Sequence, residues 1–467
     1  MKWKLKVPNT YILIFSLLVI IAALTWVVPG GEYVRAEVNR REVVVPNSFK
    51  YIPSSPQGID ALFTSPIKGF VEAATIIAFI LIVGGAFNVV QRTGAINEGI
   101  YKLVKAHENS KALKVLFIPV LITIFSLGGA TFGMNEEIIP FVLITVPICL
   151  ALGYDSITGV AIPLVGAHIG FASAFLNPFN VGIAQGIAGV PLFSGIEYRL
   201  IVWFFANITA VLFIVYYLKR LKKNPSISPM YESDNERRRT EHFDLLKGGE
   251  VNGVLNLRHK LVLITFLVSL IILVVGVIEF AWFIEEIAAM FFVMGIAAGI
   301  AGGLKSEEFV KAFIEGAKDL VGTALIIALA RATLVISRDA HIIDTLLYSL
   351  APFVDSSSPI FASQKMFLIQ SVINFFIHSG SGQAALTMPI MAPLSDIVGV
   401  SRQTSILAFQ LGELTNIIIP TSAVTMGALS MARVPWEKWA KWALPLMIIL
   451  FLLGFALLVP PNLINWQ

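Results

Sequence analysis

Residues 128–141 read GGATFGMNEEIIPF and place two adjacent glutamates, Glu136 and Glu137, inside a long apolar region. The region runs from residue 114 to residue 151, and at about 1.5 Å per residue it is long enough for two membrane spans. Its charged, glycine-rich centre is instead typical of a re-entrant hairpin, whose tip must be buried in protein or line a watery cavity. The sequence therefore predicts that the glutamates belong to a site and not to a lipid-facing surface.

The composition is that of a polytopic membrane protein. Of 467 residues, 56% are hydrophobic and 14% are charged, which excludes a water-soluble globule. The apolar segment at residues 11–28 is too long for a signal-peptide core, so we expect it to remain as the first span. The single cysteine, Cys149, lies in apolar sequence and is interpreted as a packing residue.

Charged loops indicate the orientation of the spans. The basic start MKWKLK and the polar stretch 219–260 are expected in the cytoplasm, and residues 30–69 are expected outside. This topology requires residues 114–151 to enter and leave the membrane on the same face. An ordinary loop between two short spans is the alternative, and it would move every later segment to the opposite side.

The predicted fold is an all-α polytopic membrane protein built from two inverted repeats. The predicted domains are a first span with an external loop (1–70), a first repeat (71–218) with a hairpin (114–151) and a broken helix (157–190), a cytoplasmic linker (219–260), scaffold spans (261–303), and a second repeat (304–467) with a hairpin (367–395) and a broken helix (401–432).

Three pairs of segments support the repeat. The three pairs occur in the same order along the chain. Each pair joins a glycine-rich or proline-containing break to its counterpart. The segments are GGAFNVVQRTGAINEGIYKL with RATLVISRDAHIIDTLLYSL, GATFGMNEEIIPF with HSGSGQAALTMPI, and AHIGFASAFLNPFN with FQLGELTNIIIPTS.

The two hairpin tips and the two helix breaks supply the candidate site. Half-helix N-termini attract a carboxylate, whereas unwound carbonyls and side-chain oxygens bind a sodium ion. The candidate substrate-binding residues are Asn135, Glu136, Glu137, His168, Asn177, Asn180, Arg331, Ser379, Ser381, Gln383, Glu413, Thr421 and Ser422. Three of them, Asn135, Asn177 and Thr421, are candidate ligands for a coupling sodium ion, and no other cofactor is expected.

Each candidate has a structural alternative. The two glutamates can satisfy amides of their own tip, Arg331 can pair with a glutamate, and His168 can be a packing residue. If protons drive transport instead of sodium, the glutamates and His378 become the proton carriers.

Several segments resemble the YfcC-type transporters, relatives of the C4-dicarboxylate anaerobic carriers within the ion transporter superfamily. They are VPNTYILIFSLLVIIAALTWVVPGGEY, ATFGMNEE, RDAHIIDTLLYSL and SGSGQAALTMPIMAPLSDIVGVSRQTSILAFQLGE, and the resemblance covers nearly the whole chain. It implies about nine transmembrane helices plus two opposed hairpins, an elevator-type movement and a homodimer in the inner (plasma) membrane. The chain departs from the family pattern at Arg338 and Asp339, where small or glycine-containing residues are expected.

The expected function is secondary transport of a small charged metabolite. The candidate set contains three carboxylates and one arginine, which favours an amino acid with a cationic side chain, such as arginine or ornithine, moved with sodium or by exchange. A C4-dicarboxylate carrier is the alternative, because members of the family are described in both ways. A channel or a membrane enzyme is a remote alternative, since no HExxH, GxSxG or paired-cysteine motif occurs.

Overall fold

The computed structural model describes residues 10–38, 41–45, 47–240, 255–280, 282, 284–354, 358–464 and 466. The helices of the first half are α1 (Thr10–Leu24), α2 (Ile59–Glu72), α3 (Ala74–Arg92), α4 (Ala95–Asn109), α5 (Lys111–Thr131), α6 (Ile138–Ala151), α7 (Ser156–Ala172), α8 (Ile183–Ala188), α9 (Ile196–Lys223) and α10 (Tyr231–Thr240).

The second half continues with α11 (Leu257–Phe280), α12 (Ile284–Gly302), α13 (Ser306–Asp319), α14 (Val321–Asp339), α15 (Ile342–Leu350), α16 (Pro359–Phe376), α17 (Gly380–Ile397), α18 (Arg402–Gly412), α19 (Ala423–Met431), α20 (Trp436–Leu457) and α21 (Val459–Leu463).

Six helical segments among the described residues are long and apolar enough to cross a membrane, judged by length and composition. They are Ala74–Arg92, Lys111–Thr131, Ile196–Lys223, Ile284–Gly302, Ser306–Asp339 and Trp436–Leu463. Shorter apolar helices lie at Tyr11–Leu24, Ile138–Ala151, Ser156–Ala172 and Ile342–Val354. The prediction of about nine transmembrane helices stays a prediction.

The fold is mostly helical, but the all-α prediction is wrong for the segment after α1. This segment forms four short antiparallel strands, β1 (Gly31–Glu32), β2 (Arg35–Val38), β3 (Arg41–Val44) and β4 (Lys50–Tyr51). The ladders are β1 with β4 and β2 with β3. Strands of two to four residues are too short to produce a recognisable alternation of apolar and polar residues, so the sequence pattern did not indicate them. Helix α2 also occupies the end of the predicted external loop.

Helix boundaries in the two halves coincide at a constant offset. Helices α2, α3 and α4 begin at positions 59, 74 and 95, and α13, α14 and α15 begin 247 positions later, at 306, 321 and 342. The residue before the third helix is left-handed in both copies, with φ of 75° at Gly94 and 56° at His341. The first pair of matching sequence segments, which begin at Gly84 and Arg331, has the same offset of 247 residues.

The repeat-related helices pack reciprocally. Helix α2 packs against α14, and its counterpart α13 packs against α3. Gly69 of α2 lies against the backbone of α14, and the equivalent Gly316 of α13 lies against the backbone of α3. A Cβ atom at either position would approach the facing carbonyl oxygen to within 2.4 Å or less, so a glycine is needed at each crossing.

Each half also contains one helical hairpin and one broken helix. Residues 132–137 form tip 1, between α5 and α6, and residues 377–379 form tip 2, between α16 and α17. Break 1 lies between α7 and α8 and includes a short π-helix, Pro178–Gly182. Break 2 lies between α18 and α19 and includes a 3-10 turn, Glu413–Ile417.

Hydrogen bonds tie the segments outside the long helices to the helical core in two regions, named here by their elements. At the first, the α10 end, Arg237 and Arg238 of α10 donate to Ala432 O, just after α19, and to Leu150 O, near the end of α6, at 2.9 Å and 3.3 Å. At the second, the strand end, Gly31 N of β1 donates to His341 O at 3.0 Å. The basic start of the chain and residues 241–254 of the predicted linker lie outside the described residues.

Candidate functional site

The two hairpin tips meet at a cavity of about 570 Å³, which we call the central cavity. Tip 1 contributes Asn135 and Glu136 to its wall, and tip 2 and the first residues of α17 contribute Ser379 and Ser381. Residues next to both helix breaks also line it. The cavity therefore brings together the four irregular segments that the sequence singled out.

The wall of the central cavity carries more acidic than basic groups. The carboxylates of Glu72, Glu136, Glu285 and Glu286 line it, together with the guanidinium of Arg331 and the imidazole of His378. The nearest carboxylate oxygen of Glu72 lies 3.4 Å from Arg331 Nε. Arg331 thus has an acidic partner, as the structural alternative proposed, and it also faces the cavity.

The two glutamates of tip 1 have different surroundings. Glu137 is 6% exposed, and its Oε2 accepts a hydrogen bond from the backbone N–H of Asn135 at 2.8 Å. This bond satisfies an amide of the tip, which is the structural alternative for an acidic pair. Glu136 is only partly buried and lines the cavity, so it is the tip glutamate that a substrate can reach.

Tip 2 is built with neutral side chains. The hydroxyl of Ser379 caps α17 by accepting from the N–H of Gly382 at 3.3 Å, and it lies 3.4 Å from the hydroxyl of Ser381. Gln383 is fully buried, and its Nε2 donates to the side-chain oxygen of Gln370 at 2.7 Å. Gln383 therefore joins the two arms of the hairpin and does not line the cavity.

Break 1 is ordered by Asn177, which is fully buried. Its Oδ1 accepts from the N–H groups of Phe179 and Asn180 at 2.8 Å and 3.2 Å, and its Nδ2 donates to Gly129 O of α5 at 3.2 Å. Asn177 thus caps the helical turn after the break and ties it to the first hairpin. His168, one turn before the end of α7, is buried with its Nδ1 2.8 Å from Leu164 O.

Break 2 is tied to the second hairpin in a similar way. The hydroxyl of Thr421 donates to Phe375 O at 2.7 Å, and the hydroxyl of Ser422 caps α19 by accepting from Thr425 N at 3.3 Å. The two breaks meet through Glu413, whose Oε2 accepts from Nδ2 of Asn180. Glu413 is 1% exposed, so this contact is sealed from the cavity.

The three candidate sodium ligands lie in different places. Asn135 lines the cavity, Asn177 lies beside tip 1, and Thr421 contacts the end of α16. Within the described ranges no group of three His, Cys, Asp or Glu side chains is arranged to hold a metal ion. The sodium assignment stays a prediction that rests on neutral oxygens.

A model of the family "DcuC: C4-dicarboxylate anaerobic carrier" matches residues 7–461 of the chain. The chain belongs to the DcuC family. This DcuC-family protein is 38% identical to the Escherichia coli protein "Putative basic amino acid antiporter YfcC", over 98% of its own length and 97% of that relative. It is 29% identical to an uncharacterised Haemophilus influenzae protein, over 97% of its length and 96% of that protein.

Two solved structures have been compared with the DcuC-family chain. The YdaH transporter of Alcanivorax borkumensis gives a TM-score of 0.42 at 14% identity, covering 98% of this chain and 99% of that one. The efflux pump MtrF of Neisseria gonorrhoeae gives a TM-score of 0.41 at 18% identity, covering 97% and 95%.

Family membership confirms part of the sequence analysis. The resemblance to YfcC-type transporters is correct, and the protein is a multi-pass membrane transporter. The expectation that it is not an enzyme is confirmed by the carriers and antiporters among its relatives.

Sequence reasoning on this DcuC-family protein missed several charged residues of the site. Glu72 ends α2, two residues before the apolar α3, and no motif marks it. Glu285 and Glu286 lie in the predicted scaffold spans at 261–303. They are two adjacent glutamates at the start of an apolar helix, which is the same pattern that singled out Glu136 and Glu137. Their position at the cavity follows only from packing between distant helices.

Proposed function

We propose that this DcuC-family protein is a secondary active transporter of an amino acid with a cationic side chain, such as arginine or ornithine. The observation that carries the proposal is the charge of the central cavity, where four carboxylates and one arginine converge on about 570 Å³. A basic amino acid has one carboxylate for Arg331 and two cationic groups for the glutamates. The Escherichia coli relative is named for the same substrate class, basic amino acids.

A dicarboxylate fits the same cavity less well. Its two carboxylates would meet four carboxylates and one arginine, and like charges at close range disfavour binding. The description of the family nevertheless makes a C4-dicarboxylate the second candidate. For this substrate, Arg331, His378 and the hydroxyls of tip 2 would supply the donors.

We propose sodium as the coupling ion, unless the protein works by pure exchange. Sodium prefers hard oxygen ligands, and Asn135, Asn177 and Thr421 offer them beside unwound backbone. Proton coupling through Glu136 and His378 is the competing mechanism.

The proposed setting is the inner membrane, with the N-terminus and the α10 end in the cytoplasm and the strand end outside. The hairpins and broken helices then form a unit that moves in elevator fashion against the remaining spans, in a homodimer. Hairpin 1 enters from the α10 end in this arrangement, because the end of α6 and the start of α7 are both bound to α10.

Uptake by the purified protein in lipid vesicles tests the proposal. Labelled arginine, ornithine, succinate and fumarate are compared, with and without an inward sodium gradient and with the same compounds preloaded inside. We expect arginine or ornithine uptake that saturates, shows counterflow and rises with the sodium gradient or the preloaded amino acid. Uptake of succinate or fumarate without uptake of either amino acid would assign the protein to the dicarboxylate carriers.

A further inference from the structure

A second cavity, of about 490 Å³, opens beside the central cavity toward the strand end. We call it the outer vestibule. The side chains of Arg35, Arg338 and His341 line it on one side, and Gly382 and Ala385 of the second hairpin line it on the other. The second hairpin therefore forms a wall of both cavities.

The outer vestibule has a repeat-related counterpart at the α10 end, a cavity of about 430 Å³. Leu334, Arg338, Ile343 and Asp344 line the first, and positions 247 residues earlier line the second, namely Phe87, Gln91, Ile96 and Asn97. A cavity that recurs at equivalent positions of two repeats belongs to the architecture and is not an isolated packing defect. Of these paired positions, Arg338 and Asp344 carry charge only in the outer copy.

The charged groups that line the outer vestibule are Arg35, Arg338 and Asp344. Asp344 is neutralised, because both its oxygens accept from Nη2 of Arg35, at 3.0 and 2.9 Å. Arg338 itself is 54% exposed and uses only Nη2 in its ion pairs, with Glu72 at 2.6 Å and Asp339 at 3.4 Å. Among the described residues its Nε and Nη1 have no recorded acceptor, which leaves N–H groups for an incoming carboxylate.

Glu72 connects this arginine with the central cavity. One carboxylate oxygen of Glu72 binds Arg338, and the other lies near Arg331 Nε at a distance of 3.4 Å. The two arginines are seven residues apart on α14, so they lie on the same face of the helix about two turns from one another. A carboxylate can thus move from one arginine to the other while Glu72 stays paired with whichever arginine is vacated.

We propose that Arg338 is a carboxylate-binding residue of the outer vestibule, which captures a small carboxylate-bearing metabolite and transfers it to Arg331. The proposal rests on the transport function proposed above, and it holds for an amino acid and for a dicarboxylate because both carry the recognised group. It gives Arg338, which departs from the family pattern, a role outside the central cavity.

Charge restoration at position 338 tests the proposal. The variant Arg338→Cys should lower the uptake efficiency about tenfold, the effect of losing one charge-assisted hydrogen bond at a partly exposed site. A membrane-impermeant reagent that attaches a quaternary ammonium group to the thiol should restore most of the uptake, whereas one that attaches a sulfonate should not. The native Cys149 is buried, so labelling reports the introduced thiol. Arginine and succinate are the probes, and at least one should slow the labelling.

The matched control is Lys50→Cys. Lys50 is an exposed cation with an acidic partner, Glu32, at the same end of the molecule, and it lines neither cavity. Both reagents should leave its uptake unchanged. Arg338→Lys, which keeps the charge and the fold, should retain more uptake than Arg338→Gln. Equal effects of the two reagents on Arg338→Cys, or uptake by Arg338→Gln equal to that of the wild type, would overturn the proposal.

Failure of this proposal and failure of the proposed substrate class give different results. Wild-type uptake of succinate but not arginine would refute the amino-acid assignment, and the charge-restoration test then proceeds with succinate. If wild-type protein transports neither probe, protection from labelling decides the question, since it requires binding only. No protection by either probe would refute the role of Arg338.

Discussion

The two hairpin tips occupy equivalent places but present different chemistry to the central cavity. Tip 1 supplies an amide and a carboxylate, Asn135 and Glu136, whereas tip 2 and the start of α17 supply the imidazole of His378 and the hydroxyls of Ser379 and Ser381. The order of elements around them repeats, with α5 and α16 before the tips and α6 and α17 after them, whereas the charged groups do not repeat. The carboxylates and the guanidinium of the cavity wall come from the first hairpin and from α2, α12 and α14, whereas the second hairpin adds an imidazole and hydroxyls.

The broken helices differ in the same manner. Break 1 is capped by the amide of Asn177 and break 2 by the hydroxyl of Ser422. At its start, α7 is capped by the carboxylate of Asp155, and the equivalent α18 by the hydroxyl of Ser401. The paired caps therefore differ in chemistry, and substitutions at paired positions should have unequal effects.

The largest effect is expected at Arg331, the cation of the central cavity with no charged counterpart in repeat 1. Its equivalent position, 247 residues earlier, is Gly84. Arg331→Gln should lower the uptake efficiency for every carboxylate-bearing substrate about a hundredfold, because Glu72 then lacks its partner in the cavity and the substrate carboxylate lacks its donor. Arg331→Lys should be intermediate, since it keeps the charge but loses the planar fork. Initial rates for arginine and succinate measure the effect, and a loss for only one of them would contradict it.

The next effect separates the two glutamates of tip 1. Glu136→Gln keeps the shape but removes a charge from the cavity, so arginine affinity should fall about tenfold to a hundredfold, or on the order of 1.5 to 3 kcal/mol. Glu137→Gln should change arginine affinity less than about threefold and should lower the thermal stability instead, because its carboxylate accepts the Asn135 N–H. Binding isotherms and melting curves of both variants test this pair. A larger affinity loss for Glu137→Gln would reverse the assignment of the cavity-facing glutamate.

A smaller effect concerns the contact of tip 2 with break 2. A Cβ atom at Gly380 would lie 2.8 Å from Glu413 Oε1 and 2.9 Å from the ring of Phe171. Gly380→Ala should therefore displace the tip and lower the uptake rate, with a cost of about 1 to 3 kcal/mol. The control is Gly186→Ala, where the nearest atom is 3.9 Å away, and its uptake should equal that of the wild type. Equal uptake by both variants would show that the tip tolerates displacement.

The sequence predicted those parts of the fold that leave a local pattern. Apolar segments, the glycine-rich tip at Gly133, the proline after Asn177 and the internal offset of 247 residues all lie in the sequence itself, and each marks an element near its observed place. The amphipathic helices α4 and α13 were not identified, because their charged faces make them look like loops between spans. The strands have only two to four residues, too few to show an alternation of apolar and polar residues.

The site was harder to predict, because its membership depends on which faces of distant helices meet. Asn135, Glu136, Arg331, Ser379 and Ser381 reach the central cavity, since the tips end there. Other candidates are engaged behind the cavity wall, as Gln383 is with Gln370, and they stay predictions for substrate or ion binding. The contribution of Glu72 could not be seen, because a residue on α2 enters the site only through the crossing of α2 with α14.

The two helix breaks provide a test of the sodium proposal. Asn177 and Ser422 both cap a helix after a break, so replacing either by alanine should cost about 1 kcal/mol of stability. Only Asn177→Ala should also raise the sodium concentration needed for half-maximal uptake, by about threefold to tenfold. Uptake at graded sodium concentrations measures the difference. The same sodium dependence in both variants would make Asn177 a cap alone and favour proton coupling.

The smallest effect is expected at the start of α7, where the carboxyl of Asp234 should make the docking of α10 depend on pH. Asp234 of α10 is 1% exposed and its Oδ2 accepts from Ser156 N at 2.8 Å. Burial raises the pKa of the Asp234 carboxyl above its usual value, and Asp155 raises it further, while the Ser156 hydrogen bonds and Arg237 lower it. The docked α10 therefore binds a proton more readily than a released α10 does. Docking strengthens as pH falls from neutral toward the usual Asp range, and it weakens as pH rises through the raised pKa.

Hydrogen exchange of residues 231–240 measures this docking. After correction for intrinsic rates, wild-type protein should show greater protection at about pH 5 than at about pH 7, because the raised pKa of Asp234 lies above the usual Asp value. Asp234→Asn should remove this difference, and the segment at Ser401, which has a hydroxyl cap, should show no such difference in either protein. Equal pH dependence in wild type and Asp234→Asn would mean that another group controls the docking of α10.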